Sequence, residues 1–393
     1  MGEHALVLNA GSSSLKFAVY GRDKGAPWRL DAGGQVDGIA TRPHFKARDA
    51  AGTSLADEEL PGNVASAAAA LDVLAGCLRQ NLGGSRIVGV GHRVVHGGAE
   101  YSGPCVVTPE VIESLRALVP LAPLHQPHNL AAIEAVAARM PDVPQVACFD
   151  TSFHRGQPAV AQLVPLPAEV RNAGVQRYGF HGLSYEYIAS VLPDVAPAIA
   201  GGRVVVAHLG SGASLCALRA GRSVDSTLGF TALDGLCMGT RPGTVDPGVI
   251  LHLFQALQLT PRQVEKMLYS QSGLLGISGV SNDMRVLLER DDAGSRLAVE
   301  YFVYQAAKQV GAMAGALGGI DGLVFTAGIG EHSAEIRRRI VQASRWLGLE
   351  LDDAANLRHG PRISADGSAI SAWVIPTNEE LMIARHTARL LRL

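Results

Sequence analysis

Two stretches far apart in this chain are written in nearly the same way. Residues 7–15 read VLNAGSSSL and residues 206–215 read VAHLGSGASL, each an apolar run, a glycine–serine turn and the start of a second apolar run. A further run able to form a strand follows each, at residues 28–36 and 222–226. Short apolar or β-branched runs bounded by turn residues read as strands, so both halves of the chain open on the same hairpin. That pattern points to a duplicated fold, and 393 residues are enough for two domains at ~100–200 residues each. The boundary is expected near Asp150, where an apolar run ends, giving domains at 1–150 and 151–379.

Strands are expected at 5–9, 15–20, 86–90, 145–149, 203–208, 214–218 and 323–326. Helices announce their starts between them. Thr108 before Pro109 and Thr260 before Pro261 each set a capping hydroxyl ahead of a proline at the first helical position, and Gln263 completes a capping box. Asp246 before Pro247 has the same form. Residues 294–315 place Leu297, Tyr301, Tyr304 and Ala307 at helical spacing, which predicts a helix packed on that face. Strands alternating with helices make this an α/β protein.

Composition narrows the function. With 34 basic against 36 acidic residues and a net charge of −2, there is no electrostatic footprint for nucleic acid or an anionic membrane. A hydrophobic fraction of 47% with 18% charged residues excludes disorder on a large scale. The longest apolar stretch, 310–325, is broken by glycines and Asp321 and does not read as a membrane span. The opening MGEH has neither a basic nor an apolar leader region, so no signal peptide is expected, and Leu6 stands where a myristoylation motif wants Ser or Thr. Cys77, Cys105, Cys148, Cys216 and Cys237 are dispersed with no C-x-x-C pair, and read as reduced thiols of a cytoplasmic protein. The 45 glycines stand above the usual ~7% and are not periodic, so they mark places where backbone must come close to something.

Residues 9–16 (NAGSSSLK) form a tight turn rich in hydroxyls and closed by Lys16, on the face opposite Leu15, Phe17 and Val19. Backbone N–H groups, hydroxyls and an ammonium can hold phosphate oxygens. Alone, the segment reads more readily as an ordinary polar hairpin with a solvated lysine. It is not a Walker P-loop, and no G-x-G-x-x-G opens a helix after a strand. Two more glycine turns follow, at 208–212 (HLGSG) and 326–332 (TAGIGEH), the second placed before a helix expected at 334–347, where an anion is welcome. One such turn is commonly only a turn; three in one chain, two of them on matching hairpins, favour a phosphate ligand.

Cationic residues also cluster with glycine: Arg93 within GHRVVHGG (91–98), His181 within RYGFHG (177–182) and Arg241 within MGTRPG (238–243). Arginine offers a planar fork suited to carboxylate or phosphoryl oxygens, although each of these could also serve an interdomain salt bridge or be a satisfied buried histidine. Asp150 ends a strand where α/β ligand sites collect, or it caps a turn. Near the C-terminus Thr377 is the expected N-cap of the last helix, with Glu380 completing a capping box. Glu379 is then left for a cation, or both glutamates for the helix dipole.

In this order, residues 8–17 (LNAGSSSLKF), 91–98, 149–154 (FDTSFH), 177–182, 229–241 (GFTALDGLCMGTR), 325–331 (FTAGIGE) and 375–381 (IPTNEEL) resemble the acetate kinase family from about residue 5 to the end. The resemblance implies an α/β, duplicated actin-like ATPase (ribonuclease H-like) fold, two domains with a central cleft that holds the nucleotide, and a C-terminal helix, about 380–393, that returns to the first domain. It implies a cytoplasmic homodimer that reversibly transfers the γ-phosphoryl group of ATP to acetate, giving acetyl phosphate and ADP on the route to acetyl-CoA. Magnesium, with manganese as a substitute, would be placed by Asn9 and Glu379. The nucleotide would be held by Ser14 and Lys16, by His208, Leu209, Gly210, Ser211 and Gly212, by Asp283, Met284 and Arg285, and by Gly328, Ile329, Gly330, Glu331 and His332. Arg93 would grip the acetate carboxylate, with Val95, Leu124, Phe180 and Ala232 about its methyl group. Asp150 would be the catalytic acid, and His181 and Arg241 the transition-state stabilisers. Ser211 and His332 stand where the family usually has Asn, and Ala232 replaces a proline, which opens the preference for acetate towards propionate.

The chemistry fits the residues. A carboxylic acid of pKa ~4–5 is already ionised at neutral pH, so no strong base is required. Charge spreads over the equatorial oxygens of the transferring phosphoryl and asks for cations. Asp150 is therefore expected to orient Arg241 or a metal-bound water rather than accept a proton. A propionate kinase would share these motifs and differ in pocket volume. A sugar kinase would need a carboxylate base for a neutral hydroxyl, and a non-enzymic actin-like ATPase would keep the nucleotide turns without the Arg93 cluster.

Overall fold

The computed structural model describes residues 3–22, 26, 28–81 and 86–393; Met1 and Gly2, which entered the N-terminal expectation, lie outside them. The chain divides into two units, Met1–Phe153 with Asn378–Leu393, and His154–Thr377.

The first unit is built on β1 (Glu3–Ala10), β2 (Ser14–Arg22), β3 (Arg29–Asp37), β4 (His44–Asp49), β5 (Ser54–Glu59), β6 (Arg86–Val94), β7 (Cys105–Val106) and β8 (Gln145–Phe149). They form one sheet in the order β5-β4-β3-β2-β1-β6-β8-β7. β1 pairs antiparallel with β2 and β2 with β3, whereas β1, β6 and β8 run parallel. The second unit carries β9 (Arg203–Leu209), β10 (Ala213–Arg219), β11 (Arg222–Ser226), β12 (Gly322–Thr326) and β13 (Ser371–Val374), ordered β11-β10-β9-β12-β13. Here too the first three strands are antiparallel, and β9, β12 and β13 are parallel. The core β3-β2-β1-β6-β8 of one unit is thus repeated as β11-β10-β9-β12-β13 in the other. The duplication announced by two short hairpins extends to five strands of each sheet.

The parallel strands are buried on both faces, which is why they read as unbroken apolar runs: every residue of β8 and β12 is buried. In the first unit Leu8, Phe17, Val36 and Val19 pack with Leu74 and Val136 of the helices Ala67–Asn81 and Gln126–Arg139. Burying each such side chain stabilises the fold by roughly 1.5–3 kcal/mol. The last helix, Glu379–Leu391, lies against β6, and two glycines make that possible. A Cβ on Gly89 would fall 2.6 Å from Leu391, and one on Gly91 would fall 2.4 Å from Thr387 Oγ1.

Local chemistry holds at most helix starts. Thr108 and Asp246 cap as expected, and Thr260 with Gln263 forms the full capping box. Four expectations fail. The last helix is capped by Asn378, whose side chain accepts from the Leu381 N–H at 2.9 Å, so Thr377 and Glu380 form no capping box. The Thr377 N–H is drawn instead to Glu331 Oε1 at 3.0 Å. The helix expected at 334–347 ends at Ala343 and tightens into a 3₁₀ turn, Arg345–Leu347, before Gly348 at φ 92°. Residues Ala327–His332 form a short helix rather than an open glycine turn, held by Glu331 Oε1 accepting from the Ala327 N–H. In the helix Ala293–Leu317 the core face is Ala298, Phe302, Ala306 and Val310, while Leu297 and Tyr304 are 57% and 63% exposed. Arg296, Glu300 and Lys308 share that exposed face, but apolar residues fill most of the rest of the helix, so the spacing of its aromatic residues does not select the core face.

Candidate active site

In the first unit the ends of the parallel strands bring together four of the side chains singled out in the sequence. Asn9 lies near the end of β1, Arg93 near the end of β6, Asp150 just after β8, and Glu379 in the first turn of the last helix. Arg93 grips Asp150 as a two-pronged fork, Nε to Oδ1 at 3.0 Å and Nη2 to Oδ2 at 2.6 Å. Its Nη1 donates to Asn9 Oδ1 at 3.4 Å, and Nε lies 3.8 Å from Glu379 Oε2. The Asp150 side chain is 2% exposed and that of Arg93 22%. Burial works against the guanidinium charge, yet Asp150, Glu379 and Glu380 hold its pKa above the ordinary value. Burial pushes the Glu379 carboxyl up to about 7, with Asp150 and Glu380 adding to the effect and Arg93 opposing it. Asp150 within this unit is therefore the partner that sets Arg93, a pairing the sequence did not indicate.

Among the described residues no group of three or more His, Cys, Asp or Glu forms a ready metal cage. Asn9 and Glu379 nevertheless suit magnesium, which takes oxygen ligands, keeps several waters and needs few groups from the protein. A buried carboxylate whose ionisation is resisted by its neighbours is one that a cation would relieve.

Val95 is buried, and its N–H donates to Asn129 Oδ1 at 3.0 Å, while Asn129 Nδ2 donates to the Ala10 carbonyl at 2.8 Å. Asn129, which no motif flagged, thereby ties the end of β1 to the residue beyond β6. Leu124 is exposed. Lys16 is exposed on β2, and in the turn before it the Gly11 N–H donates to the Ser14 carbonyl at 2.8 Å.

The second unit gathers a different set. His181 is the N-cap of the helix Gly182–Val195 and sits in the left-handed region at φ 59°. Its ring stacks on His208 at 4.1 Å between centroids. His181 Nδ1 pairs with Ser214 Oγ, and His208 Nδ1 with Ser184 Oγ, each at 2.8 Å. Arg241 Nη1 donates to the Ala232 carbonyl at 2.7 Å, so Ala232 holds the arginine through its backbone. Gly212 leaves room here: a Cβ would stand 2.8 Å from Arg241 Nη2, the mobile end of its side chain, and 3.2 Å from His181 Nε2. Phe180 is buried, and its carbonyl hydrogen-bonds His154 Nε2 at 2.9 Å. Arg177 pairs with Asp234 at 3.0 Å and donates to the Ser226 carbonyl at 2.7 Å, which fixes the segment carrying Ala232.

A cavity of about 760 Å³ opens beside this turn, lined by Gly210, Ser211, Asp283, Met284, Arg285, Gly328, Ile329 and His332, with Asn282, Leu288, Glu289 and Ser333 completing the wall. It unites three sequence segments singled out for phosphate or nucleotide. Leu209 is fully buried and supports the turn from behind. Gly330 is buried as well, and Arg337, itself 0% exposed, donates to the Gly330 and Glu331 carbonyls at 2.8 Å each. Burial pushes the Arg337 pKa down to about 10. The Glu331 carboxylate is occupied by the Ala327 and Thr377 N–H groups. Asp283 caps the helix Met284–Leu288 and pairs with Arg285 at 2.6 Å.

Known proteins match this arrangement. The sequence model of the acetokinase family matches residues 4–385. The acetate kinase of Rhodopseudomonas palustris is 54% identical over 394 residues, covering 99% of each chain. Among solved structures, a propionate kinase from Francisella tularensis superposes with a TM-score of 0.92 at 35% identity, covering 99% of this chain and 100% of that one. The acetate kinase of Porphyromonas gingivalis gives 0.87 at 35% identity with the same coverage. The fold is the duplicated actin-like ATPase fold, and with a family model and relatives that span both units, the chain belongs to the acetokinase family.

Proposed function

We propose that the chain transfers the γ-phosphoryl group of ATP reversibly to acetate, giving acetyl phosphate and ADP. The observation that carries this reading is the convergence of Arg241 Nη2 and His181 Nε2 on the space above Gly212, in a turn whose Gly210 and Ser211 line the 760 Å³ cavity. The nucleotide occupies that cavity. Arg93, held in one orientation by Asp150, takes the acetate carboxylate beside Val95 and Leu124; the family resemblance gives Phe180 and Ala232 the methyl group as well.

An acetate oxygen attacks the γ-phosphorus, forming the new O–P bond as the bond to the β,γ-bridging oxygen breaks and ADP departs with the electron pair. No proton moves, because acetate is ionised at neutral pH. Arg241 and His181 donate to the equatorial oxygens, where charge develops. Asn9 and Glu379 would hold magnesium, whose charge offsets that of the phosphate oxygens. Asp150 acts through Arg93 and takes no proton. The five free cysteines suit a reducing cytoplasm. The exposed Leu297 and Tyr304, two turns apart on one helix face, and the 70% exposed Trp346 beside Gly311 on the same face, suit a homodimer.

The test is acyl phosphate formation from ATP, magnesium and acetate, trapped by hydroxylamine as the hydroxamate. Hydroxamate that depends on all three is expected; ATP hydrolysis without it would leave a bare actin-like ATPase.

A second reading, use of propionate, is favoured by Ala232, where the family has a larger ring. One methylene in a tight pocket is worth ~1–3 kcal/mol. Relaxing that wall should bring propionate within about tenfold of acetate in kcat/KM, and Ala232→Pro should widen the gap. An unchanged ratio in the two forms would remove Ala232 as the control of chain length.

A further inference from the structure

Behind His181 stands a hydrogen-bond chain with one direction. The helix Gly182–Val195 supplies both its ends, His181 at the cap and Tyr185 one turn later, while Ser214 of β10 lies between them. Ser214 Oγ is 2.8 Å from His181 Nδ1 and 2.5 Å from the Tyr185 hydroxyl. Ser214 and Tyr185 are both fully buried.

The hydrogens in this chain can be counted. Burial holds the Tyr185 phenol well above its usual pKa, so it keeps its proton. Among the described residues its only hydrogen-bond partner is Ser214 Oγ, and a buried phenol hydrogen left unpaired is costly. Tyr185 therefore donates to Ser214. The serine's own hydrogen must then point at its other partner, His181 Nδ1. A ring nitrogen that accepts a hydrogen bond carries no proton, and the tautomer follows from the bond the other nitrogen makes.

We propose that Tyr185 and Ser214 are positioning residues that lock the neutral His181 imidazole in its Nε2–H form, so that the nitrogen facing the space above Gly212 is a hydrogen-bond donor. The alternative tautomer would direct a lone pair at an incoming phosphoryl oxygen and lose that contact. This inference rests on the proposed role of His181 at the transferring phosphoryl group. The order of donors alone sets the tautomer. Each bond in such a chain strengthens the next, which favours the locked form further.

The experiment uses the full chain labelled with ¹⁵N-histidine, with the His181 signals assigned by their loss in His181→Asn. A protonated Nε2 and an unprotonated Nδ1 are expected at neutral pH. Ser214→Ala should shift the signals towards a mixture of tautomers and lower kcat by roughly 10–100-fold, the usual loss when an outer partner of a functional histidine is removed, with KM for ATP and acetate within about twofold. Tyr185→Phe removes the donor that commits the serine hydrogen to Nδ1, so the signals should shift part of the way towards the same mixture, and an unchanged tautomer there would remove Tyr185 from the chain. A protonated Nδ1 in the unmodified chain, or an unchanged tautomer in Ser214→Ala, would overturn the proposal; the first measurement stands even if a variant does not fold. Wild-type turnover in His181→Asn would instead sink the catalytic reading of His181 and leave the tautomer result untouched.

Discussion

The two units share five strands in the same order and direction, yet they present opposite chemistry at the ends of those strands. In the first, β1 ends in Asn9, β8 runs into Asp150, and Glu379 joins them around the single guanidinium of Arg93. In the second, the residue matching Asn9 in the hairpin is His208, stacked on His181, and β13 runs into Ile375, which is buried and apolar. One scaffold has been loaded as an acidic cluster with a captive arginine, the other as a pair of imidazoles with an arginine that donates to a carbonyl. A sheet whose parallel strands all end on one side collects whatever residues follow them, so duplication of the fold does not duplicate the chemistry.

The contrast between the two arginines is the sharpest test. Removing either should lower turnover by ~10²–10³-fold, as the loss of one strong electrostatic contact does. Arg93→Ala should also destabilise the first unit by about 3 kcal/mol, since it leaves the buried Asp150 carboxylate unpaired. Arg241→Ala releases the neutral Ala232 carbonyl and should lower the melting temperature by less. Equal melting temperatures for both variants would break the distinction.

Glycine turns divide the units in the same way. Gly212→Ala should cost ~10²-fold in kcat, because a new methyl 2.8 Å from Arg241 Nη2 turns that guanidinium aside and crowds His181 Nε2 at 3.2 Å. In Gly11→Ala the new Cβ meets Ser14 Oγ at 3.2 Å, a hydroxyl that can turn away, and the Ser14 carbonyl at an ordinary 3.7 Å, so activity should change far less. Steady-state kinetics of the two variants side by side decides this, and comparable losses would show that the first turn is as tightly committed as the second.

Acid should loosen the first unit at β6 and the segment that follows it. Burial pushes both His92, hydrogen-bonded to the Gln145 side chain, and His96 down to about 4. The unfolded chain takes up these protons near ~6.5, before the folded one does, so stability is full above that pH and falls as the pH drops towards 4. The loss should reach about 3 kcal/mol per histidine. Denaturant midpoints followed from about pH 7.5 to 4.5 measure it, and a flat profile would mean that these rings are not held neutral by burial.

The smallest effects lie in the first turn of the last helix. Asn378→Ala should cost ~1 kcal/mol, the ordinary value of an N-cap, and Glu380→Ala only a few tenths. Glu379→Ala should raise the magnesium requirement with little change in stability. A melt and a magnesium titration separate the three, and a cap-sized loss from Glu380→Ala would restore the pattern first read from the sequence.

Much of this was legible without the structure, because it depends on short-range chemistry. The two hairpins, the runs that became β8 and β11 at their full length, the caps at Thr108, Asp246 and Thr260, and the glycine-flanked Arg93, His181 and Arg241 all express local rules of period, turn and cap. What stayed hidden involved a choice between local solutions of similar energy. Thr377 and Asn378 are both good caps, and only the pull of Glu331 on the Thr377 N–H settles which one acts. The apolar helix Ala293–Leu317 offers two faces to a core, and the packing around it buries Phe302 and leaves Tyr304 in solvent. Asp150 and Arg93 are 57 residues apart, and Ser214 lies 33 from His181 and 29 from Tyr185. No pattern of spacing joins them. The sequence by itself determined which residues could carry charge, cap a helix or turn a chain, since those are properties of single side chains and their neighbours. Which arginine is captive to an aspartate, and which nitrogen of a histidine carries its proton, was decided only when distant strands and helices closed around them, because hydrogen bonds and desolvation act through space.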